Sequence, residues 1–258
     1  MNKENLSCIT ILTVWLTVVG FFVCGSTLFA QDATWTEIQG PDTTLATDVE
    51  AGFPNGCGIV SMLYAMKFGP PSWRADYNSI AGKTDLAKIQ TLAKQFGSEP
   101  SKYERAVYNR NMPAFTASKG TNVGDLPWMF QSLVHGPLPL NQVFLAKLDP
   151  NGNTGRLLAE KFHNEVVASL KRGEPVIMTA FIQFTVHEIV IIGIQNAVDQ
   201  QGTFKVEVLD PATGEESTGT VSSGFSFITG HPGTGLNFSY DSVWVPSGQI
   251  FGITVEPK

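Results

Sequence analysis

The sequence is poor in cysteine and in charge, and it has no run of basic residues. Only three of its 258 residues are cysteine, and two of these, Cys8 and Cys24, lie within residues 1–30. Charged residues make up 16% of the chain, with a net charge of -6. The acidic balance argues against nucleic acid or an anionic membrane surface as the main partner. The 43% hydrophobic content is typical of a globular chain with one substantial core.

Several motifs of other enzyme classes are also missing. The sequence has no serine in a G-x-S-x-G frame, no P-loop and no Rossmann glycine pattern. The stretch "HEIVI" begins like the zinc-protease motif HExxH, but its fifth residue is Ile191 and it lies in a β-branched run. A zinc site of the HExxH type needs two histidines on the same face of a helix. We therefore expect no metal and no cofactor.

The N-terminus has the layout of a signal peptide. A short polar start precedes the apolar stretch "LSCITILTVWLTVVGFFV", and small residues then lead to Ala30. This pattern predicts a signal peptide over residues 1–30, cut after Ala30, and a secreted or periplasmic protein. The apolar stretch is also long enough to remain as an uncleaved membrane anchor. We expect the protein to contact a membrane only in that case. Residues 31–258 are then expected to form a single domain.

Export leaves Cys57 as a lone thiol, because exported domains use structural cysteines in pairs. Two interpretations stay open: a small buried core residue, or a reactive group. In "PNGCGIV" the cysteine stands where a loop becomes a helix. A helix N-terminus favours a negative charge, so we expect a lowered thiol pKa and a backbone N–H that can donate to an oxyanion.

The order of elements predicts an α+β fold. Apolar spacing indicates helices in "GCGIVSMLYAMKFG", "KTDLAKIQTLAKQFG", "GDLPWMFQSLVHG" and "TGRLLAEKFHNEVVASLKRG". Short β-branched runs then indicate strands in "PVIMTAFI", "HEIVIIGIQ", "TFKVEVLD" and "QIFGITVE", close enough in sequence for an antiparallel sheet. Residues 98–123 are expected to be irregular. The Gly, Ser and Thr-rich residues 214–238 are expected to form a surface loop.

Among the four histidines, His187 is the best candidate base for the thiol. It begins an apolar strand, whereas His163 lies on a polar helix face and is expected to be solvated. A hairpin between "HEIVIIGI" and "TFKVEVLD" would bring Asp210, at the end of the second strand, beside His187. The alternatives are a histidine that merely begins a strand and an aspartate that merely forms an Asp-Pro turn.

These stretches together resemble the papain-like cysteine peptidases. "NGCGIVSMLYAMKFG", "LKRGEPVIMTAFI", "VHEIVIIGI", "VEVLDPATGE" and "SVWVPSGQIFGITV" are most similar to the bacterial double-glycine-leader (bacteriocin-processing) peptidase domains. The resemblance implies a papain-like arrangement, with the nucleophile helix packed against a C-terminal antiparallel sheet. It also implies that Cys57 is the nucleophile, His187 the general base and then acid, and Asp210 the orienting residue.

The chain departs from that family at the oxyanion donor. The family usually carries a Gln a few residues before the Cys, and here that place reads "EAGFP". Asn55 and Gln39 are the candidates to replace it. The resulting prediction is an exported cysteine peptidase that acts on peptide or protein substrates. The alternatives are a catalytically weak or inactive papain-like binding domain and an acyltransferase using the same triad.

Overall fold

The computed structural model describes residues 35–41, 45–135, 140–144, 155–182, 185–228, 231–240 and 248–255. The predicted signal peptide and its two cysteines lie outside these residues. All described residues except Trp35 belong to one unit, Thr36–Lys258. Within the described part of the chain, no helix is long and apolar enough to cross a membrane.

The architecture is α+β, with most helices preceding the sheet strands. The described helices are α1 (Cys57–Phe68), α2 (Pro71–Ser79), α3 (Asp85–Ser98), α4 (Lys102–Tyr108), α5 (Leu126–Leu133) and α6 (Gly155–Lys171). The strands are β1 (Trp35–Glu37), β2 (Phe115–Thr116), β3 (Gly120–Thr121), β4 (Leu140–Phe144), β5 (Val176–Ile182), β6 (Thr185–Gln195), β7 (Thr203–Leu209), β8 (Glu216–Ile228), β9 (His231–Tyr240) and β10 (Gly248–Val255).

Helix α1 is buried on every side, which is why its sequence is apolar nearly throughout. It begins at Cys57 directly after Gly56 and ends at Gly69, ahead of two prolines that cannot continue it. Its residues pack against α2, α3 and β6. Truncating a fully buried residue such as Leu63 to alanine would cost about 2–5 kcal/mol, through lost burial and the cavity left behind.

The main sheet is antiparallel, as the strand spacing predicted. Its order is β1-β6-β5-β10-β9-β8-β7, with β4 added beside β10, and β6 also pairs with β7. The expected hairpin of β6 and β7 is present, with Val190 opposite Leu209 and Ile194 opposite Val206.

Strand β6 separates two apolar clusters because successive side chains point to opposite faces of a sheet. Val190 and Ile192 belong to the cluster built around α1, whereas Ile189 and Ile191 belong to the cluster that contains α6 residues. This alternation determines which of the polar residues at the start of β6 faces the first turn of α1.

Two expectations about irregular segments were wrong. Residues 214–238 contain most of β8 and β9, which pair over ten positions, and buried Val221 lies opposite buried Phe238. Small residues can occupy strands when a long hairpin pairs their backbones, and threonine favours strands. Residues 98–123 contain α4 and the small β2–β3 sheet. Helix α4 begins at a Ser101 cap whose hydroxyl accepts from the Glu104 N–H at 2.9 Å.

Candidate functional site

Cys57 lines a cavity of about 740 Å³ together with His187. The cavity lies between the first turn of α1, the start of β6 and the β2–β3 turn, whose residues form one wall. Gly120, the first residue of β3 after that turn, has a φ of 73°, and a Cβ there would clash with the Asn55 carbonyl oxygen. Glycine therefore allows the turn to approach the loop before Cys57.

His187 and Asp210 are in direct contact. His187 Nε2 lies 2.9 Å from Asp210 Oδ1, as the β6–β7 hairpin led us to expect. Burial lowers the pKa of His187, but the hydrogen bond and charge of Asp210 outweigh it, and the pKa is raised above its ordinary value. Because Nε2 faces Asp210, Nδ1 is the ring nitrogen left to exchange a proton with a group in the cavity.

The thiol of Cys57 is hydrogen-bonded to Glu188, which was not among the predicted site residues. Its Sγ donates to Glu188 Oε2 at 2.7 Å, and both residues are buried. Burial and the neighbouring Glu188 carboxylate raise the pKa of Cys57 well above its ordinary value. The expected lowering of the thiol pKa by the helix N-terminus was therefore wrong, because desolvation and a like charge outweigh the helix dipole here.

The alternation of β6 explains why the thiol meets Glu188. Glu188 shares a strand face with Val190 and Ile192, the residues that pack in the α1 cluster. Ser61, one helical turn after Cys57, donates to the Glu188 carbonyl oxygen at 3.0 Å. This hydrogen bond helps to hold β6 in its position along α1. Cys57 and His187 are both described, and no hydrogen bond joins them in the structure.

Of the two predicted oxyanion candidates, Asn55 lines the cavity with Cys57, but its side-chain amide is already engaged. The Asn55 side-chain amide donates to the carbonyl oxygens of Ala117, at 3.5 Å, and Ser118, at 3.2 Å. Gln39 is exposed and is absent from the described residues that line the cavity. The backbone N–H groups in the first turn of α1 have no intrahelical acceptors and remain donors of the right kind.

Asp48 is a second cavity residue that sequence reasoning missed. It is almost fully buried, and its Oδ1 has no hydrogen-bond partner. Its backbone N–H donates to Pro211 O at 3.0 Å, which ties it to the turn that carries Asp210. Burial raises its pKa, against the opposing charge of His187. No spacing or motif around "TDVEAG" points to this residue.

Two of the other histidines have structural contacts. His135 Nδ1 lies 2.6 Å from Asp76 Oδ1 at the end of α5. His163 is buried, and its Nε2 lies 2.7 Å from Gln195 O. The expectation that His163 is solvated was wrong, because α6 packs this face against β6.

No protein-family model matches the chain, and neither a curated protein nor a solved structure matches it. Among the described residues, no group of three or more His, Cys, Asp or Glu side chains is arranged to hold a metal ion.

Proposed function

We propose that this protein is an exported cysteine-type peptidase with a papain-like arrangement, in which Cys57, His187 and Asp210 act together. The observation that carries the proposal is the His187–Asp210 pair, 2.9 Å apart, beside the same cavity as a thiol at a helix start. Nucleophile, base and orienting group are the components that acyl transfer through a thioester requires.

The proposed reaction begins when the Cys57 thiol leaves Glu188. It turns towards His187, which lies on the opposite face of β6 but lines the same cavity, and passes its proton to Nδ1. The sulfur attacks the carbonyl carbon, forming the S–C bond while the carbonyl electron pair moves to oxygen. N–H groups of the first turn of α1 donate to that oxygen. Collapse breaks the C–N bond, and His187 returns its proton to the departing amine.

Water then hydrolyses the thioester. His187 removes a proton from the water as its oxygen attacks the acyl carbon, and breaking the S–C bond releases the acid and restores the thiol. Throughout, Asp210 holds the imidazole in one tautomer and stabilises its charged form. If an amine takes the place of water, the same residues perform acyl transfer, and the products distinguish the two reactions.

The test is turnover of unfolded protein by the full chain, measured as newly released amino groups. Cys57→Ser is expected to abolish it, and His187→Ala to reduce it by about 10²–10⁴-fold. His135→Ala is the matched control, because it removes an exposed imidazole that does not line the cavity. Unchanged turnover in Cys57→Ser would rule the proposal out.

A second candidate is favoured by one observation, the 2.7 Å hydrogen bond that the buried Cys57 thiol donates to buried Glu188. A thiol held in its protonated form suits a binding domain that retains the cavity without catalysis. This candidate predicts no turnover, and it predicts that Cys57 is alkylated no faster than an ordinary free thiol near neutral pH.

A further inference from the structure

Three residues of the cavity wall have a buried carboxylate oxygen that lacks a hydrogen-bond partner. Asp48 and Glu188 are each 2% exposed, and Asp48 Oδ1 and Glu188 Oε1 lack hydrogen-bond partners. Both residues line the cavity beside Cys57. Glu104 also lines it, and its buried Oε2 lacks a hydrogen-bond partner and lies 3.9 Å from Arg110. Buried carboxylate oxygens without donors are costly, so each of these oxygens calls for a donor.

Arg110 forms an ion pair with Glu104 Oε2 at 3.9 Å, but no cation of the protein in the described residues supplies a donor to Asp48 Oδ1 or Glu188 Oε1. Among the described lining residues, the basic side chains are Lys119, which is exposed, and His187, whose Nε2 is engaged by Asp210. The wall therefore carries more acidic than basic side chains, with Asp48, Glu104 and Glu188 against Lys119 and His187. A cleft lined mainly by one sign of charge concentrates ligands of the opposite sign.

We propose that the cavity selects substrates carrying an ammonium or guanidinium group, which Asp48 Oδ1 and Glu188 Oε1 bind beside the reacting carbonyl. An ammonium has three donors and a guanidinium five, and hydrogen bonds between ions are the strong ones. The geometry favours an organic cation over a metal ion, because the described carboxylates do not cluster as metal ligands. This inference deepens the proposed peptidase function and rests on it for the reaction.

Such a substrate would also change the state of the thiol. The Glu188 carboxylate is one of the groups that hold Cys57 protonated. A substrate cation bound at Glu188 Oε1 neutralises that charge, which weakens the hold of the carboxylate on the thiol proton. The thiol is then released towards His187 when a suitable substrate is present.

The experiment measures binding by titration calorimetry to the full chain carrying Cys57→Ser, which keeps a donor beside Glu188. The probes are Nα-acetyl-lysine methylamide and Nα-acetyl-norleucine methylamide, which differ chiefly in the terminal ammonium. We expect the lysine probe to bind at least about tenfold more tightly near neutral pH. Equal affinities, tighter binding of norleucine, or no binding of either probe would overturn the inference.

Variants then locate the effect. Asp48→Asn and Glu188→Gln are each expected to reduce the preference for lysine, whereas Glu215→Gln, which alters an exposed carboxylate outside the cavity lining, should not. Circular dichroism identifies any variant that fails to fold, and the comparison of the two probes on the Cys57→Ser chain stands without the variants. A preference unaffected by either substitution would contradict the assigned residues.

This experiment separates failure of the inference from failure of the proposed function. If the chain does not catalyse, the wild type shows no turnover, yet the lysine probe still binds more tightly than norleucine. If only the inference is wrong, the wild type cleaves lysine and norleucine substrates with equal kcat/KM.

Discussion

The two sides of the cavity hold their titratable groups in opposite ways. On one side, His187 and Asp210 are paired at 2.9 Å, and both keep a small exposed fraction. On the other, Cys57 donates to Glu188 at 2.7 Å, both residues are buried, and Glu188 Oε1 has no hydrogen-bond partner. The first pair raises the pKa of a base, whereas the second raises the pKa of the proposed nucleophile.

This difference indicates where activation must occur. A base with a raised pKa and a fixed orientation is already suited to receive a proton. The thiol must first leave a carboxylate that keeps it protonated. Activation therefore depends on separating the thiol from Glu188, whereas His187 and Asp210 are already paired. Substitutions on one side of the cavity at a time test this difference.

Replacing Glu188 by Gln should have the largest effect on the thiol side. The substitution removes a negative charge beside Cys57, and the new amide can donate to a thiolate. Burial still keeps the thiol pKa above its ordinary value, but the pKa is less raised than in the wild type. We expect iodoacetamide to alkylate Cys57 about tenfold faster near neutral pH, because a lower thiol pKa increases the fraction of reactive thiolate. Mass spectrometry of the peptide containing Cys57 measures the rate.

Glu215→Gln is the control for that substitution, since its carboxylate is exposed and outside the cavity lining. Its alkylation rate should equal that of the wild type. A Glu188→Gln rate no faster than the wild type would mean that burial alone holds the thiol protonated, and the comparison between the two sides would lose its electrostatic basis.

The parts of the fold with strong local patterns could be predicted from sequence. Helix α1 has an apolar run bounded by glycine and proline, and the β6–β7 hairpin has two β-branched runs around a polar turn. The contact of His187 with Asp210 followed from that hairpin, because antiparallel pairing relates the start of one strand to the end of the next. The oxyanion donor could not be found this way, since Asn55 makes its contacts with a loop distant in sequence.

Glu188 and Asp48 were not predicted as site residues, because no local sequence pattern as strong as that of the hairpin marks them. Glu188 follows the selected histidine directly, and the alternating Val190 and Ile192 could have placed it on the face towards α1. Asp48 reaches the cavity through a loop whose course is set by tertiary contacts, including the bond to Pro211 O. The β8–β9 hairpin pairs over a long register of ten positions, whereas its composition is rich in Gly, Ser and Thr, so composition alone suggested a loop.

Asp210→Asn tests the His187–Asp210 side of the cavity through the free energy of unfolding. Because the folded-state pKa of His187 is raised above its ordinary value of 6.5, this pair contributes stability that is fully present below that value. The contribution is lost as the pH rises through the folded-state pKa. The variant should lose about 1.5–3 kcal/mol of unfolding free energy in mildly acid solution and less in alkaline solution. Urea unfolding across this range measures the difference, and a loss that grows with pH would contradict the assignment.

Ser61→Ala should give the smallest effect, and it tests how the thiol side is held in register. The Ser61 hydroxyl donates to the Glu188 carbonyl oxygen at 3.0 Å, in a buried contact between α1 and β6. Alanine fits the same space but removes the donor, so we expect a loss of about 0.5–1.5 kcal/mol of unfolding free energy. If this bond keeps Glu188 against Cys57, the variant also alkylates faster at Cys57, though by less than Glu188→Gln. A loss of stability with an unchanged alkylation rate would show instead that the packing of Val190 and Ile192 in the α1 cluster is sufficient to hold Glu188 against the thiol.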